Sequence, residues 1–554
     1  MRRRGTTVRV GYVLRAVLLA STLSACGVPE LPGPVDAGHQ GQEPELPARG
    51  RPDAGTPHQG EVDAGGAEDA GGEVDAGAPD AGSEDGGVTD AGTPDAGTPD
   101  AGVVGCPSLR LERAVAVDGF LSDRYIWRDG ACLPRSAAMV HNDVMDPTGQ
   151  WGGYLRRYTY EVNGATRVCD GALTSHPGWG YTVNHYENTS KDSKQFPGTF
   201  RTVLEGRHHA ILEYRWRLDL GGRPVLATVQ WFFATGKDHP VWAVTFDTSL
   251  LAPNTIRADS RSPYGDLLFD GNANAEIAGV SWGDRYRFVT LQQSPLTMSS
   301  GWDYTAPNLV PFVRSWTKSP DAEMGSVQTQ TWRQHDAGGG WLYGSWGKSY
   351  PGGPMPQDWN WTYQINQYQL AQTTRSHRLA WGTNYGAVGA TEYDVYGADR
   401  KVSGYPYQSY SVFMVLGRHS TNTVLGQVGQ VESFQDVRMT ASVGQVLTQG
   451  PAGIARPDTV LYEPVGYNPI LATWEVRADA NRARFDFTTG ARPVDSPVFV
   501  LRGYTASAPP ARVSLGGVTL IPDVDYFASL DDAGDAVWLT LARSLTGTAT
   551  LSVE

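Results

Sequence analysis

The sequence predicts an all-β protein, a large antiparallel β-sandwich followed by a smaller one. Three observations carry that prediction. From residue 106 onward apolar residues recur with period two, long uncapped helical patterns are missing, and short apolar runs are separated by Gly, Pro, Asn and Asp at the spacing of strands and turns.

The period is clearest over His209–Asp219, where Ala210, Leu212, Tyr214, Trp216 and Leu218 alternate with Glu213, Arg215, Arg217 and Asp219. Successive side chains on a strand point to opposite faces, so this is a strand with one apolar and one wet face. Gly221-Gly222 turns the chain into residues 225–233, which are largely apolar on both faces and belong inside a sheet stack. A second turn at residues 235–240 leads to a strand at Val241–Asp247, giving three antiparallel neighbours. Similar runs recur at 281–291, 325–332, 360–369, 391–396 and 409–416, while residues 427–447 fit either a bent helix or two more strands.

A Gly- and Pro-containing stretch near 451–457 separates a large segment, 106–450, from a final one, 451–554. The final segment contains short runs at 459–462, 469–477, 482–488, 498–503, 511–520, 526–530, 536–541 and 546–553. That spacing indicates a small immunoglobulin-like β-sandwich without its cysteines.

Residues 1–26 have another character. Arg2, Arg3, Arg4, Arg9 and Arg15 form a basic stretch, residues 16–23 are apolar, and Leu23-Ser24-Ala25-Cys26 follows. This is the layout of a secretory signal peptide, and its apolar run is shorter than the ~20 residues that span a bilayer. The Leu-Ser-Ala-Cys string resembles the bacterial lipobox, which implies acylation of Cys26, including by palmitate, and attachment to a membrane through more than one acyl chain. Gly27, not Asp, follows the cysteine; by the enteric sorting rule this implies the outer membrane. The residues after Arg4 do not fit a twin-arginine signal.

Between 27 and 105, Asp-Ala-Gly triplets begin at Asp36, Asp53, Asp63, Asp69, Asp75, Asp80, Asp90, Asp95 and Asp100, and Phe, Trp and Tyr are missing. Such a segment buries too little apolar surface to offset the entropy of ordering it. It predicts a disordered acidic stalk, which an ideal coil would extend over ~50 Å and charge repulsion further. It also carries the acidity of the whole chain. Its net −15 and the leader's +5, taken from the total of −14, leave −4 for residues 106–554. No clustered basic surface suggests a nucleic-acid partner. Of the four cysteines, Cys106, Cys132 and Cys169 remain in the folded part; export permits one disulfide among them, in any of three pairings.

The string Trp231-Phe232-Phe233-Ala234-Thr235-Gly236-Lys237-Asp238-His239-Pro240-Val241-Trp242, with the strand that follows it, resembles the antiparallel supersandwich domains related to galactose mutarotase. Those domains also occur in polysaccharide lyases, some glycosidases and periplasmic glucan-processing proteins. The resemblance implies a carbohydrate ligand or polysaccharide substrate and brings no catalytic motif with it. Aromatic content points the same way. Of 17 Trp, 15 fall between Trp127 and Trp381, several in polar settings such as Trp179, Trp302, Trp346, Trp359 and Trp361. Sugar C–H faces pack on such rings, although a large sandwich needs aromatic core filling as well.

Glycoside hydrolysis needs two carboxyl groups, about 5–5.5 Å apart for retention or about 6.5–9.5 Å for inversion. Glu392 and Asp394, two apart on a predicted strand, would share a face with Tyr396 at the inverting separation. Asp358 beside Trp359 and Trp361 is a second acid candidate, and His335, ahead of a Gly338-Gly339-Gly340 turn, a candidate base. Trp359, Trp361, Trp381 and Tyr396 are the candidate sugar-binding residues. A lyase would use Tyr or His with Asn or Arg, residue types present at Asn184-His185-Tyr186 and Asn384-Tyr385. His209 is placed to share a face with Glu213, and His208 is not. Gly279-Val280-Ser281-Trp282-Gly283 spells a nucleophile-elbow motif but sits where a strand begins. No phosphate-binding loop, nucleotide cofactor or metal-ligand set is implied; residues 270–274 read as a turn. The expectation is an exported, lipid-anchored protein that cleaves a polysaccharide by hydrolysis, or by elimination. The alternative is a non-catalytic glycan-binding or envelope structural lipoprotein.

Overall fold

The computed structural model describes residues 105–554 apart from 172–176, 187–188, 261, 270–276, 284–287, 292–309, 311, 318–320, 332–375, 381–387, 392, 395–400, 403, 452–458 and 532. The protein is all-β, as the period-two pattern predicts. A nine-stranded antiparallel sheet runs in the order Phe288–Leu291, Ile277–Gly283, Phe312–Thr317, Ala322–Gln328, Tyr407–Gly417, Val241–Asp247, Pro224–Ala234, His209–Asp219 and Gly198–Glu205. An eight-stranded sheet built mainly from Arg110–Val117, Phe120–Arg128, Pro134–Val140, Leu155–Val162, Ala165–Asp170, Tyr264–Phe269 and Ser376–Ala380 packs against one face of it.

The interface between these sheets is aromatic. Phe233 stacks on Tyr125 at 4.8 Å and Trp231 meets Trp179 edge-on at 5.8 Å. Two polar edges in this layer find backbone partners: Trp242 Nε1 donates to the Gly180 carbonyl at 2.8 Å and Tyr214 Oη to that of Val140 at 2.8 Å. Gly180, at φ +104°, is required here, because a Cβ would lie 2.5 Å from the Trp231 ring. Trp127, Trp179, Trp231 and Trp242 are thus core filling. For Trp179 this corrects its reading as a polar-setting residue suited to sugar.

The C-terminal sandwich draws on strands from Arg438 onward. One sheet orders Arg438–Val443, Ala483–Thr488, Thr548–Val553, Val513–Leu515 and Val518–Thr519; the other is built on Thr473–Arg477, Val498–Arg502, Ala536–Leu541 and Tyr526–Leu530. Trp474, Phe485, Phe487 and Phe499 close the space between them. Residues 427–447 resolve into both alternatives, the end of a helix Thr423–Phe434 and then the strands Arg438–Val443 and Gln445–Val446.

The two sandwiches meet across the start of the His209–Asp219 strand. Phe232 packs on Trp538 at 5.4 Å, and Lys237 Nζ donates to the carbonyls of Asp495 and Ser496, each at 3.1 Å. The turn in the quoted aromatic string therefore serves as a docking plug. The pairing left open by the sequence is Cys106–Cys132, with Cys169 a buried thiol outside the bridge. Cys106 N–H also donates to Asp523 O at 2.8 Å, so the chain enters the folded part at this junction.

His209 is central to the junction. Ser529 Oγ accepts the N–H groups of His208 and His209 at 2.8 and 3.1 Å, so its own proton points to His209 Nδ1 at 2.9 Å. The other nitrogen, Nε2, then donates to Thr540 Oγ1 at 2.8 Å, and the ring is neutral. Burial, reinforced by His208, holds His209 well below the ordinary histidine range, and burial pushes His239 down to about 3 despite Asp238.

An unfolded histidine titrates near 6.5, so between that pH and the lower folded values the unfolded chain binds more protons. Stability is therefore full above about pH 6.5 and falls as the pH drops, by about 1.4 kcal/mol per pH unit for each such group. Urea midpoints from pH 8 to 5 should show this slope, and His209→Gln, which keeps a donor and an acceptor but cannot charge, should remove its share and leave that of His239. A parent curve that stays level to pH 5 would contradict the assignment.

Candidate functional site

Because cross-strand partners share a face, strand register sorts the nine-stranded sheet into rows. One face carries Leu212, Tyr214, Trp231, Phe233, Trp242 and Tyr410, and meets the eight-stranded sheet. The opposite, outer face begins at the junction with an apolar row, Ile211, Phe232, Val241 and Phe413. The next row is Arg201, Glu213, Gln230, Ala243 and Ser411, and the one after it Thr199, Arg215, Thr228, Thr245 and Ser409. A third runs Arg217, Leu226, Asp247 and Tyr407. The outer face thus changes from apolar to polar within one row of the junction.

The polar rows are internally connected. Glu213, fully buried, faces Arg201 Nη2 at 3.2 Å and Arg215 Nη2 at 2.6 Å through Oε1, and accepts from Gln230 Nε2 at 2.7 Å through Oε2. Thr245 and Ser409 bond each other at 2.7 Å, and the buried Ser411 hydroxyl has no hydrogen-bond partner among the described residues. Interior members of the rows are buried, whereas the Arg201 and Arg215 side chains at the strand edge are 53% and 46% exposed. Chemically this is a buried hydroxyl and amide layer with one neutralised carboxylate, which opens to solvent at Thr199, Arg201, Arg215 and Arg217. Such groups match sugar hydroxyls and ring oxygens.

Among the described residues three histidine–carboxylate pairs lie elsewhere. His208 Nε2 meets Asp523 Oδ1 at 2.8 Å in the junction. His141 Nε2 meets Asp123 Oδ1 at 2.8 Å; burial pushes the Asp123 carboxyl up, but His141, the Ala114 N–H and Arg113 outweigh it and hold it below the usual range. The third pair, His419 Nδ1 on Glu323 Oε2 at 2.8 Å, has the form of an oriented base, with the imidazole stacked on Trp316 at 4.5 Å. Its other bonds show what it does. Glu323 Oε1 accepts the Val424 N–H at 2.7 Å in the first turn of the helix Thr423–Phe434, and Oε2 faces Arg314 at 3.3 Å. Asn422 makes no side-chain cap, so Glu323 caps this helix from a neighbouring strand.

Of the sequence candidates, Glu392, Asp358, His335, Trp359, Trp361, Trp381 and Tyr396 lie outside the described residues, as does Cys26. Asn384-Tyr385 and residues 270–274 lie there too. For Asp394 the backbone alone is described, in a strand Tyr393–Asp394 that pairs with Lys401–Val402 and sets Asp394 opposite Lys401. His209 shares a face with Glu213 but both its ring nitrogens are engaged across the junction, so the two form no acid/base pair. Asn184 is fully buried within Val183–Tyr186, and Tyr186 packs under Arg223. Ser281 lies inside the strand Ile277–Gly283, paired on both sides, with no elbow. Arg201, Gln230, Thr228, Thr245, Ser409 and Ser411 were missed; register alone brings them beside Glu213. Among the described residues no group of three or more His, Cys, Asp or Glu is placed to hold a metal.

No family model and no curated protein matches the chain. Among solved structures it is similar to a GalM/aldose epimerase homologue from C. elegans, at 7% identity over 51% of this chain and 96% of that one, with a TM-score of 0.27. A likeness of that order carries no argument about site or activity.

Glu323→Ala removes three bonds from a fully buried carboxylate, and the expected loss is about 3–5 kcal/mol in urea unfolding. Glu323→Gln, which still accepts the Val424 N–H, should lose less. Equal stability of parent and Glu323→Ala would refute the capping role.

Proposed function

We propose that this is an exported lipoprotein, anchored through Cys26 to the envelope and most consistent with the outer membrane, that engages a polysaccharide. The stalk at 27–105 holds the folded part away from the bilayer, with a large sandwich from 106 and an immunoglobulin-like one whose strands begin at Arg438, ahead of the 450/451 boundary expected from the sequence. The observation that carries the glycan reading is the outer face of the nine-stranded sheet. At its exposed margin Thr199, Arg201, Arg215 and Arg217 stand on two adjacent strands, backed by the buried Glu213 and Gln230, where a hydroxyl-rich chain finds donors and acceptors together.

In the enzymatic form of the proposal, Glu392 and Asp394, with Asp358 and His335 as further acid and base candidates, cleave the glycosidic bond by hydrolysis. Elimination is the second route. Trp359, Trp361, Trp381 and Tyr396 supply stacking surfaces for sugar rings. One observation favours the non-catalytic alternative: the first two polar rows hold a single carboxylate, Glu213, already engaged by Arg201, Arg215 and Gln230. Hydrolysis needs a second carboxyl group within reach.

Two measurements separate these readings. In the native host, Cys26→Ser should abolish palmitate labelling and move the protein from the membrane to the soluble fraction; unchanged labelling would remove the anchor. With a panel of bacterial and plant polysaccharides, reducing-sugar release or absorbance in the unsaturated-uronide band is expected from the parent and not from Glu392→Gln/Asp394→Asn. Retention on glycan gels without product establishes binding in place of cleavage, and neither product nor retention excludes the carbohydrate reading.

A further inference from the structure

The polar rows end, at the sheet edge, in a charge arrangement that neutral sugars do not require. Arg201 and Arg215 lie on adjacent strands and converge on one oxygen of Glu213. Glu213 is fully buried and its other oxygen is fixed by Gln230, so the carboxylate cannot swing away from the pair. Arg217 follows Arg215 on the same face and is also exposed. Two guanidinium groups thus meet one carboxylate, and Arg217 adds a third along the strand before Asp219 follows on the same face, so positive charge is concentrated at the Arg201–Arg215 end.

The chemistry of the guanidinium decides what such an edge takes. Each carries five N–H donors in a planar fork, and neither Arg201 nor Arg215 spends all five on Glu213. A buried anion that holds two half-exposed arginines side by side lowers the entropy cost of presenting their remaining donors together. Planar forks pair with carboxylate and with sulfate-type oxygens through parallel charge-assisted bonds. Thr199, exposed beside Arg215 in the same row, offers a hydroxyl partner to the sugar that carries the anion.

We infer that the edge formed by Arg201, Arg215 and Arg217 is an anion subsite, and that the glycan bound along the outer face is an acidic one, bearing carboxylate or sulfate groups. This rests on the glycan reading above and names its substrate class. Glu213 is a positioning residue: it touches the arginines and not the glycan.

The test uses the full chain in detergent, with polygalacturonate as the carboxylated probe, dextran sulfate as the sulfated one, and neutral dextran and single-stranded DNA as comparisons. Affinity electrophoresis and calorimetry should show binding of at least one acidic glycan, weakened by salt, above that of dextran and DNA; the stronger of the two identifies the anion. Arg201→Gln/Arg215→Gln should weaken it about ten- to hundredfold, as expected for lost bonds to a charged group. Because that variant leaves Glu213 buried without its cations, the triple variant Glu213→Gln/Arg201→Gln/Arg215→Gln is measured beside it and should lose binding equally while unfolding like the parent. Arg482→Gln/Arg484→Gln, on the C-terminal sandwich, removes the same charge and should bind as the parent does.

Undiminished binding by the triple variant, equal loss in the Arg482/Arg484 control, or DNA retained as tightly as the acidic glycans would overturn the subsite. Binding of dextran with no preference for acidic glycan overturns the subsite and leaves the glycan reading standing. No retention of any glycan removes both.

Discussion

The antiparallel register between His209–Asp219 and Pro224–Ala234 is the constraint on which the rest depends. It sets Leu212 opposite Trp231 and Glu213 opposite Gln230. Side chains alternate with period two, so a slip of one residue would send Glu213 and Arg215 into the aromatic core and Trp231 outward. Burying Glu213 and Arg215 in an apolar layer without partners costs more than any single core contact returns. The same alternation that builds the core therefore builds the polar outer face, and neither can be altered alone.

The C-terminal sandwich divides that outer face. It covers the apolar row at Phe232, through Trp538, and supplies both hydrogen-bond partners of His209. Where its coverage stops, the side chains become hydroxyl, amide and guanidinium groups. Domain docking and site placement are thus two consequences of one sequence of rows. The chain enters the folded part at the same junction, through Cys106 and Asp523. Cys106 therefore lies at the row-covered end of the His209–Asp219 strand, and the polar rows lie further along it.

Strand-level structure was legible in the sequence because the half-buried strands keep strict alternation and the turns use Gly, Asn and Pro. The run predicted at 526–530 is the strand Tyr526–Leu530, and 536–541 is Ala536–Leu541. Alternation also placed Glu213, Arg215 and Arg217 on one wet face. It gave no information about what lies across the sheet, so Arg201 and Gln230, which complete the Glu213 cluster from neighbouring strands, went unseen. His209 shows the same limit: its face was read correctly, its partner was not, because Ser529 and Thr540 are more than 300 residues away in sequence. Aromatic density misled for the four core tryptophans, since a wide sandwich needs large side chains between its sheets whatever it binds. Glu323 and His419 are 96 residues apart and carried no local signal.

The central claim is that the outer face of the nine-stranded sheet, at the edge formed by Gly198–Glu205 and His209–Asp219, is the ligand surface. Amide hydrogen exchange of the full chain, with and without a short oligogalacturonate or sulfated oligosaccharide, tests it most directly. Gly198–Glu205 is an edge strand whose outward amides are open to exchange, and the account predicts slower exchange over 198–219 and little change over the C-terminal sandwich. Protection confined to other segments, with 198–219 exchanging as in the free protein, would contradict it.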